Sequence, residues 1–168
     1  MQKMLLFFLI LFFNISCSSQ TDDALSFEEY SIAMLHNGYI ERKFSITDVV
    51  EYYLNAIESI DKNGPNLNSI ISVNPDAMKI ARMLDSSLSD LKSLTPLYGI
   101  PIILKDNINT NDNMPTTAGS RILANSYPSK NSWVAEKLIK SNAIILGKAN
   151  LSEWANYRAS YSSSGWSG

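Results

Sequence analysis

One lysine follows an apolar segment in a way that would suit a catalytic base. Lys105 comes directly after the near-continuous apolar run Tyr98–Leu104, in which no residue is charged. Functional sites in open α/β sheets gather outside the carboxyl ends of strands. Partial burial at such a place lowers the pKa of a lysine and makes a neutral amine available as a base. An ordinary surface lysine, or one paired with Asp106 at a strand–loop junction, is the alternative interpretation.

The composition restricts the chemistry that is available to the chain. Its 168 residues include one Cys, at position 17, and one His, at position 36. These numbers exclude a disulfide framework, a Cys/His zinc site and an intrachain Cys–His pair. The formal net charge of -2 makes nucleic acid a poor partner. Hydrolytic chemistry would have to use hydroxyls, carboxylates, amides or lysine.

The N-terminus is typical of an exported protein. Residues 1–16 contain Lys3 and then an unbroken apolar run, Met4–Phe13, which is too short to span a bilayer and fits a signal peptide. The small residue Ser16 and then Cys17 follow this run closely, and this arrangement resembles a bacterial lipoprotein processing site. We therefore expect Cys17 to be lipidated, residues 17–25 to form a tether, and the protein to be a membrane-anchored lipoprotein of a bacterial cell envelope. The alternative is a plain signal peptide, with a periplasmic or secreted product.

Hydrophobic periodicity and capping signals predict an α/β protein with helices covering a sheet. The capping box of Ser26 and Glu29 predicts a helix over 27–36 that ends at Gly38, and Ser45 with Asp48 predicts a longer one. Further helices are predicted over 75–84 and 132–140, and after Asn150, with Glu153 as its N3 residue; strands are predicted over 70–73, 98–104 and 143–146. The last two strands read as buried on both faces.

Three sequence blocks, in this order, resemble the amidase signature family. They are Gly99–Ile108, Thr116–Ser120 and Ala143–Asn156, which read GIPIILKDNI, TTAGS and AIILGKANLSEWAN. The last block, with Ser164–Ser167 after it, is most similar to the bacterial peptide amidase branch. The resemblance covers residues 26–168 and implies the N-terminal part of an amidase domain, with helices over a mixed sheet.

The resemblance also implies roles for particular residues. Members of the family hydrolyse amides with a Ser–Ser–Lys triad, and Lys105 matches its lysine. The resemblance implies no metal or organic cofactor. Asn156 matches a substrate-lining position, and Ala155 matches a position near the acyl pocket, for a small amide or peptide-amide substrate. Both serines are expected downstream of Gly168, since Ser162–Ser164 comes too soon after Asn156 to be the family's Ser-Gly block. The chain by itself is therefore predicted to be inactive.

A second interpretation belongs to a different functional class. The chain could be a non-catalytic lipoprotein that keeps half of the amidase fold as a binding or interaction module. The source DNA beyond Gly168 discriminates the two: an open frame with Ser-Gly and Gly-Gly-Ser blocks favours the enzyme, and a stop codon favours the module. No sequence feature specifies an oligomeric state.

Overall fold

A three-stranded mixed sheet lies at the centre of the computed structural model, which describes residues 25–88, 94–157 and 160. Cys17 and Ser162–Ser164 lie outside the described residues. The strands are β1 (Ile70–Val73), β2 (Pro101–Lys105) and β3 (Ile144–Ala149), and the helices are α1 (Ile32–Ile40), α2 (Ile46–Ala56), α3 (Ala77–Ser86) and α4 (Trp133–Lys140). Strand β3 is central; it pairs antiparallel with β1 and parallel with β2. The predicted α/β class and mixed sheet are confirmed.

Helix α2 forms as its sequence predicts. The Ser45 hydroxyl accepts from the Asp48 backbone N–H at 3.0 Å, and the Asp48 carboxylate accepts from the Ser45 N–H at 2.7 Å, which completes the capping box. The helix continues as a π-helical turn over Ile57–Lys62. Its buried residues Ile46, Val49 and Val50 face the core, so local and tertiary signals agree here.

Helix α1 differs from its prediction at both ends. Its N-cap is Ser31, whose hydroxyl accepts from Met34 N–H at 3.2 Å, whereas Glu29 takes a left-handed φ of 59° and belongs to a turn. Gly38 lies inside the helix rather than after it. A Cβ at Gly38 would stand 2.0 Å from the Phe44 ring. This glycine therefore allows a close aromatic contact and does not end the helix.

Two apolar clusters lie on opposite faces of the sheet. Helices α1, α2 and α3 pack with Ile144 and Leu146 in one cluster. The other contains Ala135 of α4, together with Leu104, Met114 and Ile145. The consecutive β3 residues Ile144 and Ile145 thus contribute to opposite faces, which confirms burial of this strand on both sides.

Strand β2 is buried less completely than predicted. Leu104 is buried, but Ile103 is 37% exposed and Lys105 is also exposed. The reason is that β2 lies at an edge of the sheet within the described part of the chain. Among the described residues, no helix is long and apolar enough to cross a membrane.

Candidate active site

The carboxyl end of β2 places Lys105 beside the end of the central strand. Lys105 pairs in register with Ala149, and its Nζ donates to the Asn150 carbonyl at 2.6 Å. Two backbone hydrogen bonds fix the turn that follows: Asp106 N–H donates to Ala149 O at 3.0 Å, and Ile108 N–H donates to Lys105 O at 3.0 Å. Lys105 therefore stands at a strand end, as predicted, on a defined turn and with its side chain exposed.

A buried polar cluster lies directly beneath this turn; we call Asp106, Thr116, Thr117 and Lys148 the polar cluster. One carboxylate oxygen of Asp106 accepts from both the backbone N–H and the hydroxyl of Thr117. The other oxygen, Oδ1, is buried and has no hydrogen-bond partner among the described residues. Asp106 also accepts through its carbonyl from Ala118 N–H at 2.9 Å. The residue after Lys105 is thus held to the 116–120 segment by side chain and backbone together.

Lys148 completes the polar cluster from β3. Its side chain is fully buried, and Nζ donates to the Ile108 carbonyl and to the Thr116 hydroxyl, each at 2.9 Å. Burial lowers the pKa of Lys148, while the carboxylates of Asp106 and Asp112 oppose that effect. The strand predicted over 143–146 ends before Lys148, whereas β3 extends to Ala149 and includes it. The signal that could have found it is a charged residue within a run that is otherwise apolar, Ala143–Ala149.

The segment after β3 docks onto the same 116–120 segment. Trp154 N–H donates to Ala118 O at 2.8 Å, and the Ser120 hydroxyl donates to the Glu153 carboxylate at 2.7 Å. Gly119 has φ of 70°, and a Cβ there would stand 2.7 Å from Leu151 O. Glycine is required at this position, because the backbone is left-handed and another chain segment approaches closely.

The predicted helix after Asn150 is wrong. Trp154, Ala155 and Asn156 have φ values of 51°, 53° and 60°, so a single left-handed turn replaces a right-handed helix. The capping arrangement fails because Glu153 binds Ser120 and Trp154 N–H binds Ala118, both outside the segment. Non-glycine residues in this conformation are strained, and such residues cluster at functional sites.

The structure places the predicted substrate residues on this left-handed turn. Ala155 is exposed and Asn156 is half-buried. In the described part of the chain no hydrogen bond joins either residue to Lys105. The Lys105 Nζ donates instead to the carbonyl of Asn150, which lies earlier in the same segment. The roles of Lys105, Ala155 and Asn156 therefore stay predictions.

The described residues contain no group of three or more His, Cys, Asp or Glu side chains that could hold a metal ion. The turn and the polar cluster instead carry one carboxylate and two lysines: Asp106, Lys105 and Lys148. This set can accept or hold protons and stabilise backbone geometry.

Comparison with known proteins gives consistent matches. Residues 48–165 match the Amidase family. A probable amidase of Arabidopsis thaliana is 40% identical over 145 residues, which are 84% of this chain and 28% of the plant protein. One of the subunits of the glutamyl-tRNA(Gln) amidotransferase of a Wolbachia species from Brugia malayi is 39% identical, covering 74% of this chain and 25% of that polypeptide. The chain thus spans between a quarter and a third of these relatives' length.

Solved structures agree with the sequence matches. The native peptide amidase of Stenotrophomonas maltophilia superposes with a TM-score of 0.77 at 39% identity, covering 83% of this chain and 28% of that enzyme. An amidase family protein of Bacillus anthracis gives the same TM-score, 0.77, at 37% identity and covers 83% of this chain and 27% of that protein.

Proposed function

The chain belongs to the amidase signature family, and we propose that it is the N-terminal part of an amide hydrolase in which Lys105 is the general base. The observation that carries this proposal is the place of Lys105, exposed at the carboxyl end of β2 on a turn that buried polar groups hold in position. A base must reach its proton within hydrogen-bond distance, so a fixed turn beneath it favours catalysis.

The proposed reaction uses a nucleophilic serine and a relay serine, both of which we expect downstream of Gly168. The nucleophilic serine attacks the amide carbonyl carbon, and its proton passes through the relay serine to the neutral Lys105 amine. The resulting ammonium returns the proton to the leaving nitrogen as the C–N bond breaks, and water then hydrolyses the acyl ester. Lys105 accepts this proton as the neutral amine, which is the role of the base in the first step.

Peptide amides are the substrates that we favour. The similar Stenotrophomonas enzyme is a peptide amidase, and a peptide amidase has been crystallised with the competitive inhibitor chymostatin. Ala155 and Asn156, on the left-handed turn, would line the acyl and substrate side of the site. Other small carboxamides are the alternative substrates, and their hydrolysis would need the same base, Lys105.

Replacement of Lys105 in the full-length protein tests the catalytic proposal. We expect Lys105→Ala to lower kcat for a peptide amide at least about 10²-fold, the scale of general base catalysis. Lys130→Ala is the matched control, because Lys130 is also an exposed lysine. A Lys105→Ala enzyme that keeps more than half of the wild-type kcat would make Lys105 a structural residue.

We further propose that the protein is exported and anchored through acylated Cys17. The support is the sequence alone: a short apolar run that ends in Ser16 and Cys17, followed by a polar tether. Two acyl chains hold a protein on a membrane, whereas one gives marginal binding. Metabolic labelling with a fatty-acid probe should mark the wild type and leave Cys17→Ala unlabelled; equal labelling of both would refute acylation at this residue.

A further inference from the structure

Lys148 is a fully buried lysine to which the proposed reaction gives no task. Burying an ammonium group is costly unless it is hydrogen-bonded and compensated by opposite charge. Here two hydrogen bonds are present, and the Asp106 and Asp112 carboxylates are the charged groups that act on it. An apolar residue of similar length would avoid the cost of the charge but would leave the Ile108 carbonyl without this donor.

The contacts of Lys148 lead directly to Lys105. Ile108 closes the turn that starts at Lys105, because its N–H donates to Lys105 O at 3.0 Å. The carbonyl of the same residue accepts from Lys148 Nζ at 2.9 Å. Lys148 therefore holds the last residue of the turn whose first residue is the proposed base.

The strand geometry adds a second connection. Lys148 pairs in register with Leu104, and Ala149 pairs with Lys105. The backbone of β3 thus pairs with that of Lys105, while the Lys148 side chain binds the other end of the turn at the Ile108 carbonyl. Asp106 fixes the same turn through Thr117. With the turn held in this way, the backbone from which the Lys105 side chain extends is fixed, and its amine reaches the Asn150 carbonyl at 2.6 Å.

We propose that Lys148 is a positioning residue for Lys105: its buried side chain fixes the Lys105–Ile108 turn and so sets the orientation of the catalytic amine. This inference rests on the proposed function of Lys105. Lys148 does not touch the substrate and accepts no proton in the reaction. Its loss should disturb the orientation of Lys105 rather than the affinity for substrate.

Steady-state kinetics of Lys148→Met in the full-length protein test the inference. Methionine keeps the length and apolar character of the stem and removes both hydrogen bonds. We expect kcat per active site to fall roughly 10- to 100-fold, the scale of a small misplacement, with KM changed less than about threefold. Counting active sites with a fluorophosphonate probe removes the effect of unfolded protein. Lys140→Met, at an exposed lysine paired with Glu136, is the control and should match the wild type.

The split between kcat and KM, taken together with the melting temperature, separates positioning from a merely structural role. A misplaced Lys105 lowers kcat per active site in fully folded molecules and leaves KM nearly unchanged. A structural lysine would lower the melting temperature and leave kcat per active site unchanged. That result would overturn the inference.

Two further variants keep the test decisive. If Lys148→Met yields no folded protein, Thr116→Val removes one of the two acceptors and should lower kcat per active site by a smaller factor, with KM nearly unchanged. Wild-type kinetics in Thr116→Val would then refute the inference. Lys105→Ala is measured in parallel. Full activity in Lys105→Ala refutes the proposed function itself, whereas an inactive Lys105→Ala beside an unperturbed Lys148→Met refutes only the positioning role.

Discussion

Adding one methyl group at Gly119 should loosen the contact between the 116–120 segment and the segment after β3. Gly119 has φ of 70°, and a Cβ there would stand 2.7 Å from Leu151 O and 3.2 Å from Ser152 O. Both neighbours are backbone atoms, so they cannot move aside as a flexible side chain would. Gly119→Ala therefore forces either strain in the turn or separation of the two segments.

The cost has two parts. A left-handed conformation costs a non-glycine residue about 1–2 kcal/mol, and overpacking of a close contact costs about 1–3 kcal/mol. We expect a total of about 2–5 kcal/mol. If separation of the segments relieves the strain, the local opening free energy falls by this amount, which corresponds to about 30- to 4,000-fold faster exchange at an amide that the contact protects.

Hydrogen exchange at the Trp154 amide measures this effect, because that N–H donates to Ala118 O across the contact. Ala118→Gly is the matched control at the adjacent position, where the backbone is also left-handed, with φ of 50°. Removal of that Cβ relieves strain but increases the entropy of the unfolded chain, so the two effects nearly cancel. We expect exchange in the control to stay within about fivefold of the wild type.

The result that would refute the reasoning is a folded Gly119→Ala protein whose Trp154 amide exchanges at the wild-type rate. The 116–120 and 150–157 segments would then not be coupled through this contact. Because Ala155 and Asn156 follow Trp154 directly, the same variant should also raise KM for a peptide amide in the full-length protein. An unchanged KM together with faster exchange would separate the docking of the segment from substrate binding.

Further predictions concern Asp61, Gly38 and the isolated chain. Burial raises the pKa of Asp61, but hydrogen bonds from Ser69, Ile70 and Lys62 outweigh this effect and hold the pKa below the ordinary 3.8. The ionised carboxylate therefore stabilises the fold. This stabilisation is complete above about pH 4 and is lost as the pH falls through the folded-state pKa. Acid titrations monitored by circular dichroism should show a weaker acid dependence in Asp61→Asn, and identical titrations would contradict this. Gly38→Ala places a Cβ 2.0 Å from the Phe44 ring and should cost about 1–3 kcal/mol in urea unfolding, whereas an unchanged midpoint would show that the ring moves freely. The purified chain, residues 18–168, should hydrolyse no amide. It should also bind a hydrophobic dye, since Ile103 is exposed and strand β2 lies at an edge of the described sheet. Clear turnover with a sharp thermal transition would refute both expectations.

Local chemistry explains which elements were predictable from the sequence. The capping box of Ser45 and Asp48 lies within a single helical turn, so it was predicted and is confirmed. The start of α1 was not, because Ser26 and Ser31 both offer a capping hydroxyl and local sequence alone does not choose between them. Gly38 was wrongly predicted to end α1 for a related reason. A glycine is needed there because the Phe44 ring, six residues away and outside the helix, packs against its Cα.

The candidate site shows the same division. The position of Lys105 at a strand end follows from the apolar run before it. The burial of Lys148 does not, because it depends on how residues 106–120 fold back to bring the Ile108 carbonyl and the Thr116 hydroxyl to β3. The left-handed turn at Trp154–Asn156 likewise depends on contacts with Ser120 and Ala118, which come from more than thirty residues earlier.

The strand order has a consequence for the sequence of events during synthesis. Strand β3, which comes last along the chain, pairs with both β1 and β2, while those two strands do not pair with each other. At about 5–20 residues per second, the ribosome adds the 76 residues from position 74 to Ala149 in about 4–15 s. During that interval β1 has no strand to pair with in the described sheet, and α1, α2 and α3 can pack only on one another. The helical layer should therefore collapse first, and insertion of β3 between β1 and β2 should be the step that assembles the sheet and brings Lys105 and Lys148 together.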